Sequence, residues 1–247
     1  MPYAVYDRDA FVTRTGLGPD MKVLNIGQDH ITVSQVAKSV EKAVAVAVLD
    51  TGQAQGIRST STNKVNPVVT KYSNLPFKDN SFDIIFSYHA VNYIRPGEVP
   101  GLLGEANRTL KENGRFASMI WSQKPTNKAQ LSHLMLLGIL EKMGVLYLHK
   151  FDEISRWLEG AGFEEITMEL VSRNITVPDN WVRTHLKWPE RGMVKYSGKK
   201  VTLSPDIDKA IEDYKLHVKE HGEELLPSIQ FTARRSAVLP GIDISII

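Results

Sequence analysis

Short apolar runs alternate with amphipathic stretches through the first half of the chain. Residues 22–26 (KVLNI) are apolar and rich in β-branched side chains, and they stop at Gly27, the pattern of a strand running into a turn. Thr32 or Ser34 then caps a helix running through Val36, Val40 and Glu41. Residues 43–49 are apolar without a break and close at Asp50. Unbroken runs of this kind suit strands buried on both faces, and those belong to parallel sheets. Further strands are expected at 68–70, 82–87 and 115–121. A helix is expected at about 99–111, with Leu102, Leu103, Ala106 and Leu110 on one face, ended by Asn113-Gly114 as a left-handed C-terminal cap. This alternation of strand and helix argues for a doubly wound α/β sheet.

The second half changes character. A Leu- and Met-rich helix is expected at 128–143 and another at 151–159, the latter ended by Gly160-Ala161-Gly162. Residues 164–172 and 228–234 alternate like strands. Between them, 174–227 is polar, contains Trp181 and Trp188, and shows one helical pattern near 206–220. Such a segment is too long for a simple connection. It reads as an insertion before the last strand, a lid or partner surface within one domain spanning 1–247.

Composition narrows the classes. The 30 Lys and Arg nearly balance 28 Asp and Glu, so net charge selects no partner. With no cysteine, disulfides, thiolate metal sites and cysteine nucleophiles are excluded. No apolar run approaches the ~20 residues of a membrane span, and the first residues lack the apolar region of a signal peptide. A cytoplasmic protein is expected. The histidines are read as scattered singly, and no metal site is expected. Arg183, Lys187, Arg191, Lys195, Lys199 and Lys200 form a basic run around the two tryptophans. It is read as a solvated loop, with an acidic surface, anionic lipid or nucleic acid as the other reading.

The most distinctive segment is Leu75-Pro76-Phe77-Lys78-Asp79-Asn80-Ser81-Phe82-Asp83, a tight turn entering a strand. It resembles the LPF-x-D-x-SFD segment of the methyltransferases that include the ubiquinone and menaquinone C-methyltransferases. Residues 105–115 (EANRTLKENGR) are similar to that family's E-x-x-R-V-L-K-P-G-G-R, and Gly160-Ala161-Gly162-Phe163 to its x-A-G-F. The matches fall in order and cover about residues 20–173. The resemblance implies a class I, S-adenosylmethionine-dependent methyltransferase with a seven-stranded, mostly parallel, Rossmann-like sheet.

The resemblance also implies where the site lies. The family's first strand reads V-L-D-x-G-x-G-x-G; here the matching stretch is Val23-Leu24-Asn25-Ile26-Gly27-Gln28-Asp29-His30-Ile31. Only the first glycine is present, and a left-handed Ile31 would be strained, so a differently shaped loop is expected. The same loss argues against a dinucleotide, whose pyrophosphate needs a G-x-G-x-x-G turn. Asp50, 23 positions after Gly27, is placed to accept ribose hydroxyls, or is a turn former. Lys71, followed by Tyr72, stands where relatives carry an adenine-binding acid. Gly27, Gln28, Asp29, Asp50, Lys71, Tyr72 and Ser87 are therefore expected around the cofactor, and Tyr88, Asn92 and Trp121 around a small-molecule acceptor. His89, just past the fourth strand, is the candidate general base, or a helix-start histidine packed against Tyr93. The competing reading is a catalytically inactive subunit that keeps the scaffold and supports a protein partner or forms a homodimer. Nucleic acid is not an expected partner.

Overall fold

The computed structural model describes residues 5–171, 174–190 and 203–236. Its seven-stranded sheet has the order β3-β2-β1-β4-β5-β7-β6. The strands are β1 (Val23–Ile26), β2 (Val44–Val48), β3 (Val65–Val69), β4 (Phe82–Tyr88), β5 (Leu110–Trp121), β6 (Phe163–Val171) and β7 (Ser228–Arg235). β1 to β5 pair in parallel, and β7 runs antiparallel to both β5 and β6.

The apolar alternation of β2 explains its place in the sheet. Val44, Val46 and Val48 face one core with α1 (Val5–Arg14), α2 (His30–Ser39) and α3 (Thr51–Thr60), through Phe11, Val33, Val36, Ala54 and Ile57. Ala47 faces a second core with α4 (Val99–Thr109) and α6 (Phe151–Gly160), built on Leu102, Leu103, Ile154 and Leu158. A third core joins α5 (Lys128–Lys142), α8 (Pro205–His221) and the 225–226 stretch to Trp121 at the end of β5. The register Trp121↔Ser228↔Val171 places both ends of the 172–227 excursion at the carboxyl end of the parallel strands.

Several expectations are corrected. Asp29, rather than Thr32 or Ser34, caps α2, accepting from Thr32 N at 2.8 Å. The α4 helix ends at Thr109, before Asn113-Gly114. Asn113, at φ 60, turns the backbone inside β5, whose pairing with β4 shifts register there. At the end of α4, Arg108 reaches the 75–79 loop: it donates to Leu75 O, Phe77 O, Asp79 and Glu105. Glu105 in turn accepts from Leu75 N at 2.7 Å. The two best-matched sequence segments are thus one scaffold clamp. Helices α1, α3 and α7 (Asp179–Glu190) appear where no helix was expected. The cations Arg191, Lys195, Lys199 and Lys200 lie outside the described residues.

Candidate active site

The strand order reverses between β1 and β4, and ligands of such sheets bind at the carboxyl ends beside that switch point. Gly27 ends β1 with φ +108, a region that disfavours side chains, and a Cβ there would meet Ala90 Cβ at 2.5 Å. Asn25 Nδ2 donates to Gly27 O at 3.0 Å and holds the turn. Gln28 follows without regular secondary structure, before the α2 cap. Asp29 has φ −72, and Ile31 lies inside α2, so the missing glycines call for no left-handed residue. Arg8 of α1 reaches across and pairs with Asp29 at 2.7 Å. Burial pushes the Asp29 carboxyl up, but the Arg8 hydrogen bond and charge and the Thr32 N–H outweigh it and hold it below the usual carboxylate range.

One step along the sheet, Asp50 caps α3 by accepting from Gln53 N at 2.8 Å, and its side chain stays exposed. Leu49 and Val69, 47% and 46% exposed, end adjacent strands beside it. Lys71 is exposed and Tyr72 buried; burial first, and the Asp50 charge second, push the Tyr72 phenol above its ordinary range. At the end of β4, Ser87 is fully buried and its Oγ has no hydrogen-bond partner in the protein.

On the other side of β4, His89 takes a left-handed backbone conformation, φ 52. Its ring stacks on Trp121 (centroids 3.8 Å, planes 22° apart) and meets the edge of Tyr88, so the contact expected with Tyr93 is replaced by a clamp between β4 and β5. Nδ1 lies 3.4 Å from Asn92 Oδ1, Nε2 lies 3.4 Å from Ser228 Oγ, and Asp7 Oδ2 is 3.9 Å from Nε2. Tyr88 OH donates to Asp7 at 3.2 Å, and Arg8 lies over the Tyr88 ring. Burial, followed by the Asp7 charge, raises the Tyr88 phenol well above its ordinary range. Asn92 is fully buried and spends its amide inside the protein, donating to Tyr147 O and accepting from Trp121 N. Beside Asp7 a cavity of about 10 Å³, room for one water, is lined by Val171, Ile175, Leu225, Leu226 and Pro227.

Sequence reasoning missed Asp7, Arg8 and Ser228, because nothing in the local pattern brings α1 or the start of β7 to β4. It also missed a buried polar cluster under the excursion. Glu223 accepts from Tyr214 OH at 2.8 Å and pairs with His185 at 2.9 Å. The His133 ring lies between Trp121 and His185. Burial lowers His133 to about 4. Nor are all the histidines single: His217 and His221 stand four apart on α8, with ring centroids 4.6 Å apart. His217 Nδ1 is 2.8 Å from Ser132 Oγ, and no group of three or more metal-ligating side chains gathers among the described residues. Among them, no helix is long and apolar enough to cross a membrane.

Residues 27–118 match a known family described as "Methyltransferase domain". The chain is 36% identical over 87 residues to the ubiquinone/menaquinone biosynthesis C-methyltransferase UbiE of Ruegeria sp. (strain TM1040), a match covering 34% of each chain. It spans about a third to a half of the length of the curated relatives it matches. Among solved structures, geranyl diphosphate C-methyltransferase from Streptomyces coelicolor A3(2), crystallised with S-adenosyl-L-homocysteine, superposes with a TM-score of 0.58 at 16% identity, covering 93% of this chain and 78% of that one. The [4+2]-cyclase SpnF superposes with a TM-score of 0.62 at 15% identity, covering 94% of this chain and 80% of that one. Residues 27–118 thus match a methyltransferase domain, and the sheet that carries them has the fold of solved methyltransferases.

Proposed function

We propose that the chain transfers a methyl group from S-adenosylmethionine to a small-molecule acceptor at the carboxyl end of the sheet. The observation that carries this reading is the division of that end by β4. Gly27, Asp50 and the exposed Leu49 and Val69 lie on one side, and the His89–Trp121 clamp on the other. The residues present fit the cofactor. Leu49 and Val69 offer apolar surface to an adenine, Asp50 an exposed carboxylate to ribose hydroxyls, and Gly27 a close backbone approach. Gln28, Asp29, Lys71 and Tyr72 border the same space.

When bound, this cofactor supplies a sulfonium methyl group for in-line displacement. The chain's contribution is alignment, exclusion of water and removal of a proton. Trp121 and Tyr88 hold the His89 ring, and His89 takes the acceptor's proton. The described stretches 174–190 and 203–227 serve as a lid on this side, since Val171 and Ser228, which bound the excursion, pair beside Trp121. A cytoplasmic setting suits a chain without cysteine.

Two variants test the reading. Asp50→Ala is expected to weaken cofactor binding about 5- to 150-fold by leaving ribose hydroxyls unpaired. His89→Ala is expected to lower turnover by about 10²–10⁴ while cofactor affinity stays near wild type. Near wild-type turnover in His89→Ala and His89→Asn alike would leave catalysis to alignment alone.

A further inference from the structure

Asn92 ties three segments of the site together, and its amide has only one possible orientation. Trp121 N–H is a donor, so the Asn92 atom 3.1 Å from it is the carbonyl oxygen. Tyr147 O is an acceptor, so the Asn92 atom 3.0 Å from it is the amide nitrogen. Tyr147 N closes the bracket by donating to Asn92 O at 2.7 Å. The carbonyl oxygen is therefore the atom facing His89 Nδ1 at 3.4 Å. A carbonyl oxygen accepts and never donates, so a neutral His89 ring makes this contact only with its proton on Nδ1. The stacking on Trp121 and the edge of Tyr88 hold the plane of the ring, and a 180° flip within that plane would set Cδ2 against the Asn92 carbonyl and lose the contact.

We propose that Asn92 is a positioning residue that fixes His89 as the tautomer protonated on Nδ1, leaving the Nε2 lone pair as the basic atom of the site. Nε2 faces Ser228 Oγ at 3.4 Å, and the Asp7 carboxylate is 3.9 Å away. This deepens the methyl-transfer reading and rests on it for its catalytic meaning. As the acceptor's bond to the methyl carbon forms and the sulfur–carbon bond breaks, the departing sulfur keeps that electron pair. The acceptor's proton passes to Nε2. The resulting imidazolium donates from Nδ1 to Asn92 and presents Nε2–H to the side where Asp7 lies. The neutral tautomer that free histidine favours in water, protonated on Nε2, would offer the acceptor no lone pair there. Asn92 therefore acts through His89 and need not touch the substrate.

The test is long-range ¹H–¹⁵N correlation spectroscopy of the full chain labelled at histidine nitrogen. The spectra are recorded above the ordinary histidine range of about 6.5, and the His89 signals are assigned by their loss in His89→Gln. The expected wild-type spectrum shows a protonated Nδ1 and an unprotonated Nε2 for His89. Asn92→Asp keeps an acceptor at Nδ1 and is expected to keep that pattern, with the acid limb of the pH–rate profile moved upward. Asn92→Leu is expected to shift the ring toward protonation on Nε2 and to lower kcat more than it raises KM. A wild-type His89 protonated on Nε2 overturns the proposal, even if the Leu variant does not fold. So does a folded Asn92→Leu whose His89 pattern is unchanged. The spectra need neither cofactor nor acceptor, so failure here is distinguishable from failure of the methyl-transfer reading, which the His89→Ala turnover decides.

Discussion

His133 shows how burial writes a pH dependence into this molecule. Its ring is buried among Trp121, His185 and the chain at Leu226, whose N–H donates to Nδ1 at 3.0 Å. Burial lowers it from 6.5 to about 4, so between those values the unfolded chain binds a proton that the folded chain refuses. Stability therefore falls as pH falls through that window, by roughly 3 kcal/mol for this group. Glu223 acts in the same direction at lower pH. Burial pushes its carboxyl up, but the His185 hydrogen bond, the charges of His133 and His185 and the Tyr214 hydroxyl outweigh burial. Its folded value lies below 4.5, so the stability it contributes is present above 4.5 and is lost as pH drops through the folded value. Urea unfolding from pH 7 to pH 4 is expected to show this decline, and His133→Gln to flatten it. A midpoint constant across that range would contradict the account. None of this cluster was legible in the sequence, since a lone histidine carries no sign of what the fold packs around it. Asp29 and Asp50 were read as cofactor contacts and stand in the structure as helix caps, a role the sequence leaves open because the same short carboxylate can meet a ligand or cap a helix.

At the scale of elements, the reading succeeded where side-chain pattern alone decides the structure. The β2 run Val44–Val48 could only be a strand buried on both faces, and the Leu-rich α5 announced itself by its apolar content. It failed where polar helices pack by a few residues. The α3 helix buries only Ala54 and Ile57, and the α1 sequence is half charged or polar yet brings Phe11 against Phe86 and Tyr88. Its Asp7 and Arg8 complete the candidate site from a distance in sequence that no local pattern spans. The excursion carrying α7 and α8 packs as its own core on α5 and meets the site through Trp121. If it is a lid, amide hydrogen exchange in α7 and α8 should slow when S-adenosylhomocysteine and an acceptor analogue are added together. Exchange rates unchanged in those helices would assign the excursion to another role, such as a partner surface.

For the whole molecule, the doubly wound, seven-stranded, mostly parallel sheet follows from the alternation of elements and the resemblance, while the strand order and the antiparallel β7 are seen only in the structure. The chemistry does not follow from the fold, as the superposition on a [4+2]-cyclase makes plain. What would distinguish a methyltransferase here is a cofactor seat at the β1–β4 switch point, for which Gly27 and Asp50 are the proposed contacts. The most direct measurement is calorimetric titration of the purified wild-type chain with S-adenosylmethionine, alongside the Asp50→Ala variant. The account predicts saturable one-site binding by the wild type, weakened in the variant. No heat and no thermal shift at millimolar cofactor would contradict it.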